Sequence, residues 1–117
     1  MSVFENGVLT PNAFEQGHVE LSGGEIAIIR QQGRTAGLQI LAGDSEKKFA
    51  LYSTSLDEGL IEEQDKAIIS MDNGWSEELA EDSVSQNIQF GGVISAVKII
   101  AAEGNTKDVT VSWRIAL

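Results

Sequence analysis

From Val109 to Leu117 the chain alternates residue by residue: Val109, Val111, Trp113, Ile115 and Leu117 share one side, and Thr110, Ser112, Arg114 and Ala116 share the other. A period of two is that of an extended strand, because successive side chains point to opposite faces. Such a strand covers a core on one face and meets water or a neighbour on the other. The rest of the chain repeats the theme in short β-rich segments bounded by glycine-containing turns.

These segments are His18–Ser22, Glu25–Gln31, Ala36–Ala42 and Lys47–Ser53, then Asn87–Phe90 and Val93–Ala102. Gly23-Gly24 between the first two predicts a two-residue hairpin, since primed turns need a positive φ that glycine adopts at little cost. Bends at Gln32-Gly33-Arg34 and Gly43-Asp44-Ser45 extend that hairpin into a four-stranded meander. Val93–Ala102 is almost continuously apolar and reads as a central strand. The pattern predicts an all-β chain, an antiparallel two-sheet β-sandwich of jelly-roll or Greek-key type with about 8–10 short strands. A small closed barrel is the second choice.

The segment joining the two halves is less regular. Ser55-Leu56-Asp57-Glu58 has the form of a capping box, which predicts at most one short helix near 56–65, although Gly59 costs such a helix about 1 kcal/mol. Ala67–Met71 reads as a strand, Asp72-Asn73-Gly74 as a turn, and Ser76–Asp82 as a helical turn or exposed loop. Residues 1–17 lack a period, contain the chain's one proline, Pro11, and read as an N-terminal arm ahead of a single sandwich domain over 18–117. Phe4, Val8, Leu9 and Phe14 make that arm apolar. They either cap their own core or lie on another subunit.

At 117 residues the chain buries roughly 65% of the surface its unfolded form exposes, enough for an ordinary core. The absence of cysteine removes a disulfide framework, a thiolate zinc site and a cysteine nucleophile. No apolar run approaches the roughly 18 residues of a membrane span, and the opening residues lack a basic stretch followed by an apolar one. The chain is therefore expected to be cytoplasmic on synthesis, free or within a particle, with no membrane partner.

Charge is concentrated. Ten of the eighteen acidic residues lie between Asp57 and Asp82, where Lys66 is the only base, so the window carries −9 of the net −10. Such a surface attracts cations and basic proteins and repels phosphate. Nucleic acid is thus not an expected partner, because phosphate neutralisation needs clustered Lys and Arg.

Several residues are candidates for chemistry. Trp75 lies in a polar context, Asp-Asn-Gly-Trp-Ser-Glu. Exposed, it would stack on a sugar ring while Asp72, Asn73 and Glu77 bind hydroxyls; turned inward, it would plug one end of the sandwich, the commoner fate of a lone tryptophan. Asp72, Asn73, Glu77 and Glu78 supply the hard oxygens that calcium takes, so calcium is the one cofactor considered. They lack the spacing of an EF-hand. His18, the only histidine, reads as an exposed strand residue. The clustered carboxylates lack the apolar pocket that raises a catalytic pKa, and no catalytic constellation is recognised.

Three functional expectations follow. The first is a non-enzymatic assembly protein that forms a homo-oligomer or docks on a larger particle such as a virion or phage. The second is a carbohydrate-binding module, calcium-assisted or not, centred on Trp75. The third is an acidic inhibitor or immunity-type protein whose 57–82 window covers a basic partner.

Overall fold

The computed structural model describes residues 3–5, 8–10, 16–31, 34–42, 46–57, 74–79 and 85–116. Two short strands, β1 (Val3–Glu5) and β2 (Val8–Thr10), come first. Eight more follow: β3 (Gln16–Leu21), β4 (Ile26–Arg30), β5 (Thr35–Leu41), β6 (Phe49–Thr54), β7 (Ser76–Leu79), β8 (Gln86–Phe90), β9 (Ala96–Ala101) and β10 (Val109–Ala116). The described residues contain no helix. Of the predicted helix, Leu56 and Asp57 are non-helical and 58–65 lie outside the described residues, as does the predicted strand Ala67–Met71.

The eight strands from β3 onward form four nested antiparallel ladders: β3 with β10, β4 with β9, β5 with β8, and β6 with β7. This is one long hairpin of four ladders. Rolling it up adds the pairs β10–β5 and β9–β6. Two sheets result, ordered β1-β2-β4-β9-β6-β7 and β3-β10-β5-β8. The predicted β-sandwich is what forms, and its nested pairing is that of a jelly roll.

The meander does not form. Strands β3 to β6 alternate between the two sheets, so Gly23-Gly24 turns a corner instead of closing a hairpin. The local turn is real: Glu25 N–H donates to Ser22 C=O at 2.9 Å, and Gly24 has φ 86°. What separates the strands is burial. In β3, Gln16, His18 and Glu20 are exposed while alternate residues turn inward, which suits a sheet with one wet face. In β4, Ala27, Ile28 and Ile29 are all buried, which needs cover on both faces.

Ser76–Leu79 is likewise neither helical turn nor loop. It is β7, an edge strand paired with β6 across a register shift at Leu51/Tyr52. Glu77 and Glu78 are exposed on it, and charge on an outer strand discourages pairing with other chains. The arm's backbone joins the sheet: β1 pairs with β2, and β2 runs parallel to β4 through Val8↔Ile28 and Leu9↔Ile29. The side chains of Phe4, Val8 and Leu9 are not described, and Phe14 lies outside the described residues.

Between the sheets lies the main core, including Phe49, Leu51, Ile99, Val111 and Trp113. A second cluster covers the outer face of the larger sheet, where Trp75 closes over Ile28 and Ala96 with Ile26, Tyr52 and Leu56 at its margin. Cover on both faces explains why β9 reads as an apolar run. Its exception, Lys98, is fully buried, and its Nζ lies 4.3 Å from the centroid of the Trp75 ring, a cation–π contact strengthened by exclusion of water. Hydrogen bonds hold the covering segment down: Ser95 Oγ donates to Leu56 C=O at 2.6 Å, and Thr54 Oγ1 donates to Gly74 C=O at 2.8 Å. The larger sheet thus has a covered outer face around Lys98, whereas the smaller one presents polar side chains outward.

Candidate functional site: a polar groove over Gly37

The outward positions of β5, β8 and β10 follow from their inward ones. Ala36, Leu38 and Ile40 on β5, Phe90 on β8, and Val111, Trp113 and Ile115 on β10 belong to the core. Alternation therefore turns Thr35, Gly37 and Gln39, Asn87 and Gln89, and Ser112 and Arg114 outward. These residues line a groove of about 490 Å³, within the range of roughly 300–1,000 Å³ of small-ligand sites.

Register arranges them in rows across the strands. Arg114, Gly37 and Gln89 form one row, and Ser112, Gln39 and Asn87 form the next. On β3, Gln16 stands opposite Arg114 and His18 opposite Ser112. Clamps fix the flanking strands. Ser85 Oγ donates to Ala42 C=O at 2.7 Å and accepts from Ala42 N–H at 3.0 Å, holding the start of β8 to the end of β5. Ser22 Oγ donates to Asp108 Oδ1 at 3.2 Å where β3 meets β10. At the opposite end the side chain of Gln31, buried, donates to Arg34 C=O at 2.9 Å and Gly91 C=O at 3.0 Å, tying the β4–β5 and β8–β9 connections together.

Gly37 forms the floor. Ladders run unbroken past it on both sides, its φ is not positive, and a Cβ built there meets nothing within 4 Å. Gly17, the other glycine within a described strand, differs: a Cβ there would fall 2.7 Å from the Trp113 ring, so packing requires it. Glycine inside a strand is destabilising and often marks a close approach by a ligand or another backbone. The fold itself makes no demand for glycine at 37. What it leaves is half-buried backbone without a side chain between an arginine and an amide.

The sequence-predicted site residues lie elsewhere. Trp75 is fully buried, so its ring is not available to stack on a sugar, but it covers the outer face of the larger sheet over Ile28 and Ala96 instead of plugging one end of the sandwich. Asp72 and Asn73 lie outside the described residues. Glu77 and Glu78 are exposed on β7, where Glu78 Oε1 accepts a hydrogen bond from Ser53 Oγ at 2.9 Å. Among the described residues no group of three His, Asp or Glu side chains is placed to hold a metal ion.

No family model, curated protein or solved structure matches the chain. The groove therefore has to be read from its own chemistry.

Sequence reasoning passed over Gly37, Gln39, Asn87, Gln89 and Arg114. The signal was available: a glycine interrupts the alternating run Ala36–Ala42, and isolated glycine in a strand pattern suggests close backbone approach. Only the topology shows that amides from β8 and an arginine from β10 flank it.

Chemically, the groove offers paired donors and acceptors. Each of Gln39, Asn87 and Gln89 carries an amide oxygen and an NH₂ group, Thr35 and Ser112 add hydroxyls, and Arg114 adds a planar fork of donors. The large apolar residues on its lining, Leu38 and Trp113, are 1% and 2% exposed, so their side chains serve the core. The polar groups that line it suit a ligand dense in hydroxyl groups.

Proposed function

We propose that this protein is a non-enzymatic carbohydrate-binding module whose site is the groove on the β3-β10-β5-β8 sheet. One observation carries the reading: Gly37, unforced by backbone angle, register or packing, opens the floor of a groove walled by amides and hydroxyls. A sugar presents closely spaced hydroxyls that donate and accept at once, which Gln39, Asn87, Gln89 and Ser112 complement. A bare backbone at Gly37 lets the ring approach the sheet.

The reading differs in its site from a Trp75-centred one and uses no calcium. Self-assembly draws no comparable support from the described residues. Their exposed large apolar side chains are Leu41 and Val93, at 46% and 84% exposure, one at the end of β5 and the other in the β8–β9 connection. Single exposed apolar residues are ordinary on a monomer surface.

An array of neutral and acidic oligosaccharides probed with labelled protein tests the proposal. Binding to a subset, lost in the Gly37→Val variant, is the expected result. No binding to any glycan, or binding unaffected by Gly37→Val, contradicts it.

A further inference from the structure

We infer that the groove takes an acidic sugar, with Arg114 receiving the carboxylate of a uronate-type residue. This rests on the proposed carbohydrate site and narrows its ligand. The chain as a whole carries a net charge of −10, yet the described part of this sheet face departs from that balance. Its outward positions are Gln16, His18 and Glu20 on β3, Thr110, Ser112 and Arg114 on β10, four positions on β5 without charge, and Asn87 and Gln89 on β8. Glu20 is the single carboxylate. It stands opposite Thr110, four residues of β10 away from Arg114, roughly 13 Å of strand.

Neither cross-strand partner of Arg114 is acidic, since it lies between Gln16 and Gly37. An arginine exposed on a strand normally finds a carboxylate or lies against its neighbours. Here its nearest outward neighbour on the groove side is the open floor at Gly37. The guanidinium fork matches a carboxylate through two parallel N–H donors, a pairing that lysine does not reproduce. A ring lying over Gly37 would place a substituent between Arg114 on one side and Gln89 on the other. The first favours an anion, and the second satisfies hydroxyls.

Of the acidic window's described residues, Glu77 and Glu78 lie on β7, in the other sheet. At 0.15 M ionic strength charges are screened over about 8 Å, so the groups in contact decide the preference. Those groups are one arginine and several neutral amides.

The test is calorimetric titration of the full chain at 0.15 M salt with a galacturonate trisaccharide and with its methyl ester, which keeps the rings and removes the charge. The expected result is about tenfold tighter binding of the acid, equivalent to 1.4 kcal/mol, and loss of that preference in Arg114→Gln, which binds acid and ester alike. Arg114→Lys should recover only part of it. Thermal melting verifies that both variants fold. Equal binding of acid and ester overturns the inference while leaving the carbohydrate reading in place. A preference for acid that survives in Arg114→Gln overturns the assignment to Arg114. Binding of neither ligand overturns the inference, and failure across the wider glycan array overturns the reading beneath it.

Discussion

Replacing Gly37 by valine separates the two roles that a strand glycine can have. If the fold needs glycine there, the variant is destabilised. If the ligand needs it, the variant is stabilised and binding suffers. The structure favours the second outcome. A Cβ at 37 has no neighbour within 4 Å, so a side chain there starts in open space. Its φ lies outside the positive region, so the backbone is one that L-residues adopt. Glycine in a strand interior costs about 0.5–1 kcal/mol relative to alanine, because it loses more freedom on folding. The β-propensity scale, on which valine ranks high, spans about 1 kcal/mol. Gly37→Val is therefore expected to gain about 1 kcal/mol. For a domain of this size that raises the melting temperature by about 4 °C. Calorimetric melting measures the first effect and glycan titration the second. A lower melting temperature would refute the claim that position 37 is structurally free. A higher one with undiminished binding would show that the ligand does not use this floor.

Two further predictions concern the scaffold. Trp75→Ala removes a fully buried indole, the ring above Lys98. It should cost about 3–5 kcal/mol, lowering the urea midpoint by about 2 M at a typical slope; a change under about 0.5 M would contradict the buried position. Gln31→Ala leaves the carbonyls of Arg34 and Gly91 without their buried donor and should cost about 1–3 kcal/mol. Hydrogen exchange at Ile94 and Ser95, in the connection that Gln31 holds, should accelerate more than exchange in β9, and uniform acceleration would argue against a local tie.

Much of the sandwich was legible because burial writes itself into period. Val109–Leu117 alternates since β10 has one core face and one outer face, and Val93–Ala102 reads as a central strand since β9 is covered on both. The connectivity was not legible. Gly23-Gly24 has the chemistry of a hairpin and makes a tight turn, but the partner of each flanking strand lies far along the chain, in β10 and β9. Local turn chemistry cannot report a choice made by long-range burial. Ser76–Leu79 was missed for a related reason: glutamates at two of four positions obscure an edge strand whose pairing comes from β6.

The groove was illegible for the same physical cause. Thr35, Gly37, Gln89 and Arg114 are unremarkable one at a time, and they become a surface only when β5 is set between β8 and β10. Attention to the acidic window pointed instead to Trp75, whose polar sequence neighbours conceal a buried ring. Two of those neighbours, Glu77 and Glu78, sit on the outer edge while the indole turns in over Lys98. Polarity of flanking residues is a poor guide to one side chain's direction where a chain segment lies across a sheet.

Amide chemical-shift mapping by two-dimensional NMR, during titration with an acidic oligosaccharide, tests the central claim most directly. The account predicts that perturbed amides cluster at Gly37, Gln39, Asn87, Gln89, Ser112 and Arg114, leaving Ile28, Trp75 and Lys98 on the opposite sheet unmoved. Shifts confined to that opposite sheet, or none at saturating sugar, would contradict it.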